Sequence, residues 1–256
     1  MANFQRIALD LNAPVARITL QHPPLNVIDI FMMEELAQAL AMIADRSDVA
    51  LLVMAGSDTA FSAGVDVAAH TPDKVSSMLE KFHNVIRALV ASKRPTLAAV
   101  RGHCLGGGAE LAMVCDFVIT TKTATWGFPE IKLGCYPPVA ATGLAALVGQ
   151  KRAADLVLTG RTISGEEAAA AGLATRAVAD SALDVELKTT LDALLKLSPV
   201  ALSITRKAIY AWDAMHFDKG LARAEKIYLE ELMKTADANE GVRAFIEKRK
   251  PEWQGK

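Results

Sequence analysis

Cysteine is scarce in this chain of 256 residues: Cys104, Cys115 and Cys135 are the only three. An odd count rules out complete pairing, and spacings of eleven and twenty residues fit no zinc pattern. The expectation is three buried free thiols in a reducing compartment. An excess of charge is also missing. Lys and Arg number 28 against 29 Asp and Glu, for a formal net charge of −1. Such a chain carries no electrostatic footprint for nucleic acid or for an anionic membrane. Long apolar runs are absent too. The nearest, "LAAVRGHCLGGGAELAMVCD", is broken by Arg101, His103, Glu110 and Asp116, and a span needs roughly 18–20 uninterrupted apolar residues. The opening "MANFQRIALD" starts with strand-like alternation, not with a basic-then-apolar leader. A cytoplasmic protein with no membrane partner is the expectation.

Several chemistries lack their motifs. There is no G-x-x-x-x-G-K-[ST] for a phosphate loop and no G-x-S-x-G elbow for a serine nucleophile. "GHCLGGGAEL" fails the dinucleotide fingerprint, because Leu111 stands at its last glycine position. The histidines at 22, 70, 83, 103 and 216 form no i, i+4 pair, so no metal ligand set is expected. What remains for chemistry is backbone donors and carboxylates.

What is present is a large apolar fraction, 52% against 22% charged, enough for a substantial core. The first half alternates strand and helix signals. "FQRIALDL" and "VARITLQ" read as strands joined by a turn at "NAP". "HPPLNVID" reads as loop, "IFMMEELAQALAMIADR" as a helix capped by Asp29, and "VALLVMAG" as a strand buried on both faces. "PDKVSSMLEKFHNVIRALVAS" reads as helix, "PTLAAVRG" as strand, "GGAELAMVCD" as helix and "FVITT" as strand. After residue 139 the pattern turns helical, in "VAATGLAALVGQKRAADLVLTG", "SGEEAAAAG", "DVELKTTLDALLKLSPVALSITRKAIYAW", "KGLARAEKIYLEELMKTA" and "NEGVRAFIEKRK", with "LATRAV" as one short strand. The expected organisation is an α/β core with a helical appendage that packs against another subunit.

Three consecutive glycines, Gly106 to Gly108, enter the helix that carries Glu110. Two readings stand side by side. The glycines permit close helix–strand packing, or they let a ligand atom reach the free N–H groups of a helix start. A second donor turn is "DTAFSAGVDVAAH", where Val65 follows Gly64. One amide from each turn would hold an oxyanion. Glu110 is set among Ala109, Leu111, Ala112 and Met113, and Glu130 between Pro129 and Ile131. Two carboxylates near one oxyanion hole suit proton transfer beside a polarised carbonyl; an exposed loop position for Glu130 is the plainer alternative.

"FSAGVDV", "RGHCLGGGAELAMVCD", "GFPEIKLG", "LTGRTISGEEAAAAGLATRAV" and "EGVRAFIEKRKPEW" resemble, in order and spacing, the crotonase (enoyl-CoA hydratase/isomerase) family over nearly the whole chain. The resemblance implies an α/β fold: a crotonase-like spiral of ββα units over residues 1–195 with the acyl-CoA site, and a helical region over 196–256 that builds a homotrimer or a dimer of trimers. It implies an acyl-CoA thioester as partner, no metal and no cofactor, coenzyme A being part of the substrate. The family's two oxyanion-hole amides fall on Val65 and Gly107. Its two hydratase glutamates fall on Glu110 and Glu130, whereas its isomerases typically keep only the position of Glu130. Addition of water is therefore the reaction implied, with Glu110 activating the water and Glu130 handling the carbon-bound proton.

Contacts to coenzyme A, largely through backbone, fall by resemblance on Leu25, Asn26 and Val27 and on the turn of Ala63, Gly64, Asp66 and Val67, with Gly106 beside the glycine amide. His22 stands where the family more usually has a basic residue. Lys248 and Arg249 are candidates for the coenzyme A of a neighbouring subunit, or a solvated helix face. His70 and Trp126 are candidates for the acyl pocket wall, with ordinary core as the alternative for Trp126. The segment "PEIKLGCYPPVAATGLAAL" departs from the glycine-rich "PEILLGTIPGAGGTQRL" pattern of straight-chain hydratases. Pro138, Val139, Ala140 and Ala141 there imply a different pocket wall. This segment, together with "HPPLNVIDI", "AAHTPDKVSSMLEKFHNVIRAL" and "KIYLEELMKTADANEGVRAFIEKR", resembles members that hydrate cyclohexa-1,5-diene-1-carbonyl-CoA. The alternatives are a straight-chain 2-enoyl-CoA hydratase, an enoyl-CoA isomerase, and a non-catalytic scaffold binding CoA or RNA. The balanced charge argues against RNA, and the presence of both glutamates argues against a scaffold.

Overall fold

In the computed structural model, which describes residues 4–210 and 213–254, strands β1 (Ile7–Asp10) and β2 (Val15–Leu20) pair antiparallel across the predicted turn. Helix α1 (Ile30–Ala44) follows, and the Asp29 carboxylate caps it by accepting from the Met32 N–H at 2.7 Å. A repeated unit then begins. Each turn of chain gives one strand to a large sheet, one to a small sheet, and a helix. The first turn is β3 (Leu51–Ala55), β4 (Ala60–Ser62) and α2 (Val75–Val90). The second is β5 (Thr96–Val100), β6 (His103–Leu105) and α3 (Gly107–Met113). The third is β7 (Phe117–Thr121) and β8 (Thr125–Gly127), followed by α4 (Pro138–Val148) and α5 (Gln150–Thr159). Then come β9 (Thr162–Ser164), α6 (Gly165–Ala171), β10 (Arg176–Val178), α7 (Leu183–Leu195), α8 (Pro199–Ile209), α9 (Asp213–Glu230) and α10 (Ala236–Ile246).

The large sheet runs β1-β2-β3-β5-β7-β10 and the small one β4-β6-β8-β9. This is the expected spiral of ββα units. From β2 onward the large sheet is parallel, and its central strands are apolar at successive positions because both faces are covered. Leu52, Met54 and Ala98 face the main core, whereas Leu51, Val53, Leu97 and Ile119 face Leu183 and Leu187 of α7. All three cysteines are free and buried, as expected. No helix among the described residues is long and apolar enough to cross a membrane.

The sequence reading misses the small sheet. Its strands are three residues each, too short to show a period of two. Two apparent single helices are also divided. At Gly149 the backbone takes φ +80° and ψ 152°, which separates α4 from α5. At Ser198 and Pro199 a cap and an N1 proline start α8 afresh. The end of that predicted stretch, Ala211 and Trp212, lies outside the described residues.

The C-terminal helices pack on the spiral. Arg206 of α8 is buried and donates to Asp116 Oδ2 at 2.7 Å and to the Val90 and Ser92 carbonyls at 3.0 and 2.5 Å. Helix α9 crosses α4 closely: a Cβ on Gly143 would lie 3.1 Å from the Phe217 ring, and one on Gly220 2.7 Å from Thr142 Cγ2. Helix α10 lies against two 3-10 turns, Val67–His70 and Pro129–Leu133. Gly241 lets its backbone touch the Leu133 carbonyl, and Gly134 touches the Asp237 carbonyl from the other side.

Candidate active site

The loop from β6 into α3 is built so that each of the three glycines meets a different neighbour. A Cβ on Gly106 would lie 2.5 Å from Glu130 Oε1. One on Gly107 would lie 2.7 Å from Val65 Cγ2 and 3.1 Å from Phe82 Cζ, and one on Gly108 would lie 2.6 Å from Ser62 Cβ. Gly106 also has φ +51° and ψ −128°, a conformation that side chains disfavour. The two readings of the triplet therefore both hold. Gly108 permits packing on β4, while Gly106 and Gly107 clear the space beside a carboxylate and a backbone amide.

Val65 sits opposite Ile28 in a parallel bridge. Ile28 donates to the Gly64 carbonyl at 2.9 Å and accepts from the Asp66 N–H at 3.0 Å. Because alternate residues of an extended strand turn their N–H groups to opposite sides, the Val65 N–H is aimed away from Ile28. Gly107 is the first residue of α3, so its N–H has no intrahelical acceptor. Among the described residues, neither the Val65 nor the Gly107 N–H donates to a protein acceptor. The two are close: the Val65 nitrogen is 3.5 Å from where a Gly107 Cβ would be. The arrangement can hold an oxyanion.

Glu110 lies in the first turn of α3 and is buried. Its Oε1 accepts from the Ala140 N–H at 2.9 Å. That donor exists because Pro138 takes the N1 position of α4 and points the helix start at the carboxylate. Burial outweighs this help and pushes the Glu110 carboxyl up to about 7. Glu130 lies on the 3-10 turn Pro129–Leu133 and is half-buried as a residue, but its Oε2 is enclosed and has no hydrogen-bond partner in the protein. Burial first, and then the charge of Glu110, push it up to about 8. Like charges in one pocket ionise in sequence, so the two carboxyls titrate as a pair. Around neutral pH one proton is shared between them, which equips the site with an acid and a base together.

The two segments assigned to coenzyme A are laced side by side. Ala63 donates to the Leu25 carbonyl at 2.9 Å, and Ser62 Oγ bonds the Asn26 carbonyl at 2.7 Å. Asn26 is buried at φ +51°, and its side chain is fully engaged with Ala60, Phe61 and His22. His22 Nδ1 bonds the Val27 carbonyl at 2.7 Å. Asp66 accepts from the Ala68 N–H at 3.0 Å and caps the 3-10 turn that begins at Val67. The polar side chains here serve the loop, which leaves backbone and apolar surface for a ligand.

Other candidates fall elsewhere. Trp126 is wholly enclosed and donates to Thr120 Oγ1 at 3.0 Å, so it is core and not pocket wall. Arg249 pairs with Glu240 and Glu247 at the end of α10. Lys248 is exposed past the end of α10 at φ +55°. His70 is buried beside the Asp66 carbonyl, and burial pushes its pKa down. A cavity of about 960 Å³ opens between α4, α5, α8 and α9, but neither glutamate, Val65 nor Gly107 lines it. The sequence reading missed the Ala140 amide and Phe82. Pro138 was the available signal for the first, and nothing local marks the second.

The family model described as enoyl-CoA hydratase/isomerase matches residues 10–256. The chain is 36% identical over 256 residues to a probable enoyl-CoA hydratase of Rhizobium meliloti (strain 1021), covering 98% of this chain and 99% of that one. It is 32% identical over 251 residues to the cyclohexa-1,5-dienecarbonyl-CoA hydratase of Thauera aromatica, covering 98% and 97%. The crystal structure of an enoyl-CoA hydratase from Mycobacterium avium subsp. paratuberculosis K-10 superposes with a TM-score of 0.89 at 26% identity, covering 98% of this chain and 100% of that one.

Proposed function

The chain belongs to the enoyl-CoA hydratase/isomerase family, and on that premise we propose that it adds water to the conjugated double bond of an acyl-CoA thioester. One observation carries the reading: two carboxyls of raised proton affinity, Glu110 and Glu130, stand beside two backbone N–H groups without acceptors. The thioester oxygen accepts from Val65 and Gly107. Ionised Glu110 takes a proton from water as its oxygen bonds to the carbon β to the thioester. The displaced electron pair moves to the thioester oxygen as an enolate, where the two amides hold it. Neutral Glu130 then gives its proton to carbon, the enolate collapses, and the proton on Glu110 passes to Glu130. The net change is one water added. No cofactor enters this scheme, because coenzyme A arrives on the substrate.

For the acyl group we infer a cyclic diene, cyclohexa-1,5-diene-1-carbonyl-CoA. Hydroxide adds at the β carbon and the proton goes to the far end of the dienoyl system, giving 6-hydroxycyclohex-1-ene-1-carbonyl-CoA. The Thauera aromatica relative supports this, as does the rigid Pro138–Val139–Ala140 turn beside Glu110. Assay of the purified protein with the cyclic diene and with crotonyl-CoA tests it. Turnover of crotonyl-CoA with none of the diene overturns the cyclic assignment and leaves the hydratase. Assembly into trimers or pairs of trimers belongs to the same reading, supported by the exposed Val200, Ile204 and Ile209 of α8.

A further inference from the structure

Tyr228 lies on the buried side of α9 with 1% of its surface exposed. Its ring meets Tyr136 edge-on at 5.2 Å. Tyr136 in turn donates to the Ala224 carbonyl at 2.6 Å, one helical turn before Tyr228, which fixes how α9 sits. The chain between Glu130 and Tyr136 folds back on itself, since the Cys135 N–H donates to the Glu130 carbonyl at 3.1 Å. Tyr228 therefore faces the turn that carries Glu130, with the Cys135 thiol between. The Tyr228 hydroxyl and Glu130 Oε2 are both buried and neither makes a well-formed hydrogen bond in the protein, the Cys135 thiol being a weak sulfur neighbour of the hydroxyl. A buried polar atom left unpaired costs about 1–3 kcal/mol, and one water with two or more polar partners satisfies such atoms.

We propose that Tyr228 is a positioning residue for Glu130: its O–H, aimed by Tyr136, supplies through one bridging water the hydrogen bond that Glu130 Oε2 otherwise lacks. A donor on the ionised form lowers a carboxyl's proton affinity, so Tyr228 opposes the burial that raises Glu130. Burial, the Cys135 thiol and the Glu130 charge hold the phenol well above its ordinary value, so it stays a donor throughout the working range. The other groups around the turn are accounted for. Glu110 of α3 raises Glu130. On α10, Glu240 is engaged by Arg243 and Arg249, and Asp237 accepts from the Gln254 N–H. On α5, Asp155 is paired with Arg161. Just past the end of α9, Glu231 acts on Tyr136.

The test is a ¹³C-carboxyl NMR titration of the full chain, with Glu130 assigned by Glu130→Gln. Tyr228→Phe removes one oxygen and keeps the packing. The expected result is an upward shift of the Glu130 titration by about one unit, with the alkaline limb of kcat/KM moving the same way. Fluorotyrosine at position 228, a stronger donor, shifts the titration down. No shift in Tyr228→Phe, or a downward one, overturns the proposal. The kinetic arm rests on the hydratase reading, whereas the titration does not, so the two can fail separately.

Discussion

Val65 and Gly107 come from successive turns of the spiral, yet a single methyl group on Gly107 would sit 2.7 Å from Val65 Cγ2. The two free amides are thus held by packing that tolerates no side chain between them. Gly107→Ala is expected to push the turns apart and misplace one donor. Loss of one such donor costs about 10²–10³-fold in kcat. Steady-state kinetics with an enoyl-CoA, beside a melting curve that verifies folding, checks this. Unchanged kcat in a folded variant would remove Gly107 from the hole.

Glu110→Gln and Glu130→Gln should each lower kcat by about 10²–10⁴-fold. Because the two carboxyls share one proton, the double variant should be little worse than either single one. Full additivity in such a cycle would mean that the two act independently.

The rate should follow a bell in pH, highest between the two carboxyl values of about 7 and about 8, where the pair carries one proton. Stability moves in one direction. Both folded values lie above the ordinary 4.5, so the native state binds more protons than the unfolded chain. Their contribution is complete below pH 4.5 and is lost as pH rises through about 7 to 8. The difference in Tm between the wild-type chain and the Glu130→Gln variant should therefore change across that window. A pH-independent difference contradicts the burial argument.

Arg206 and Asp116 form an ion pair with both side chains about nine-tenths enclosed. Arg206→Ala leaves that carboxylate with only its two Thr96 donors and takes the guanidinium from the Val90 and Ser92 carbonyls. Removal of one partner from a buried pair costs about 3–5 kcal/mol. Denaturant unfolding should register this, while activity at low temperature stays near the wild-type level. A loss under 1 kcal/mol would mean that water replaces the guanidinium.

The large sheet was legible because its central strands are apolar without interruption, and α1 because Asp29 precedes a helical stripe. Gly106, Gly107, Glu110 and the Val65 turn could be singled out from glycine placement and from a carboxylate in apolar company. Their convergence could not be read locally. It depends on β4 and β6, three-residue strands without periodicity, which bring residues 62–65 against 105–108. Glu130, between Pro129 and Ile131, was a candidate on the same ground of apolar company, but an exposed loop position stayed open for it until the family resemblance was added, since one glutamate after a proline gives little local sign of burial. Trp126 stood open between pocket wall and core because a polar atom on a large side chain gives no sign of its internal partner, here Thr120, until the fold is seen.

The seating of α10 on the Pro129–Leu133 turn has a consequence for synthesis. Val65, Gly107 and Glu110 lie within the first half of the chain and can meet once β4, β6 and α3 have formed. The turn bearing Glu130 is backed by Gly241, whose bare backbone touches Leu133. That support leaves the ribosome more than a hundred residues later. A chain truncated before α10 should therefore keep the segments that carry the amides and the first carboxyl but lose the backing of the turn that carries the second.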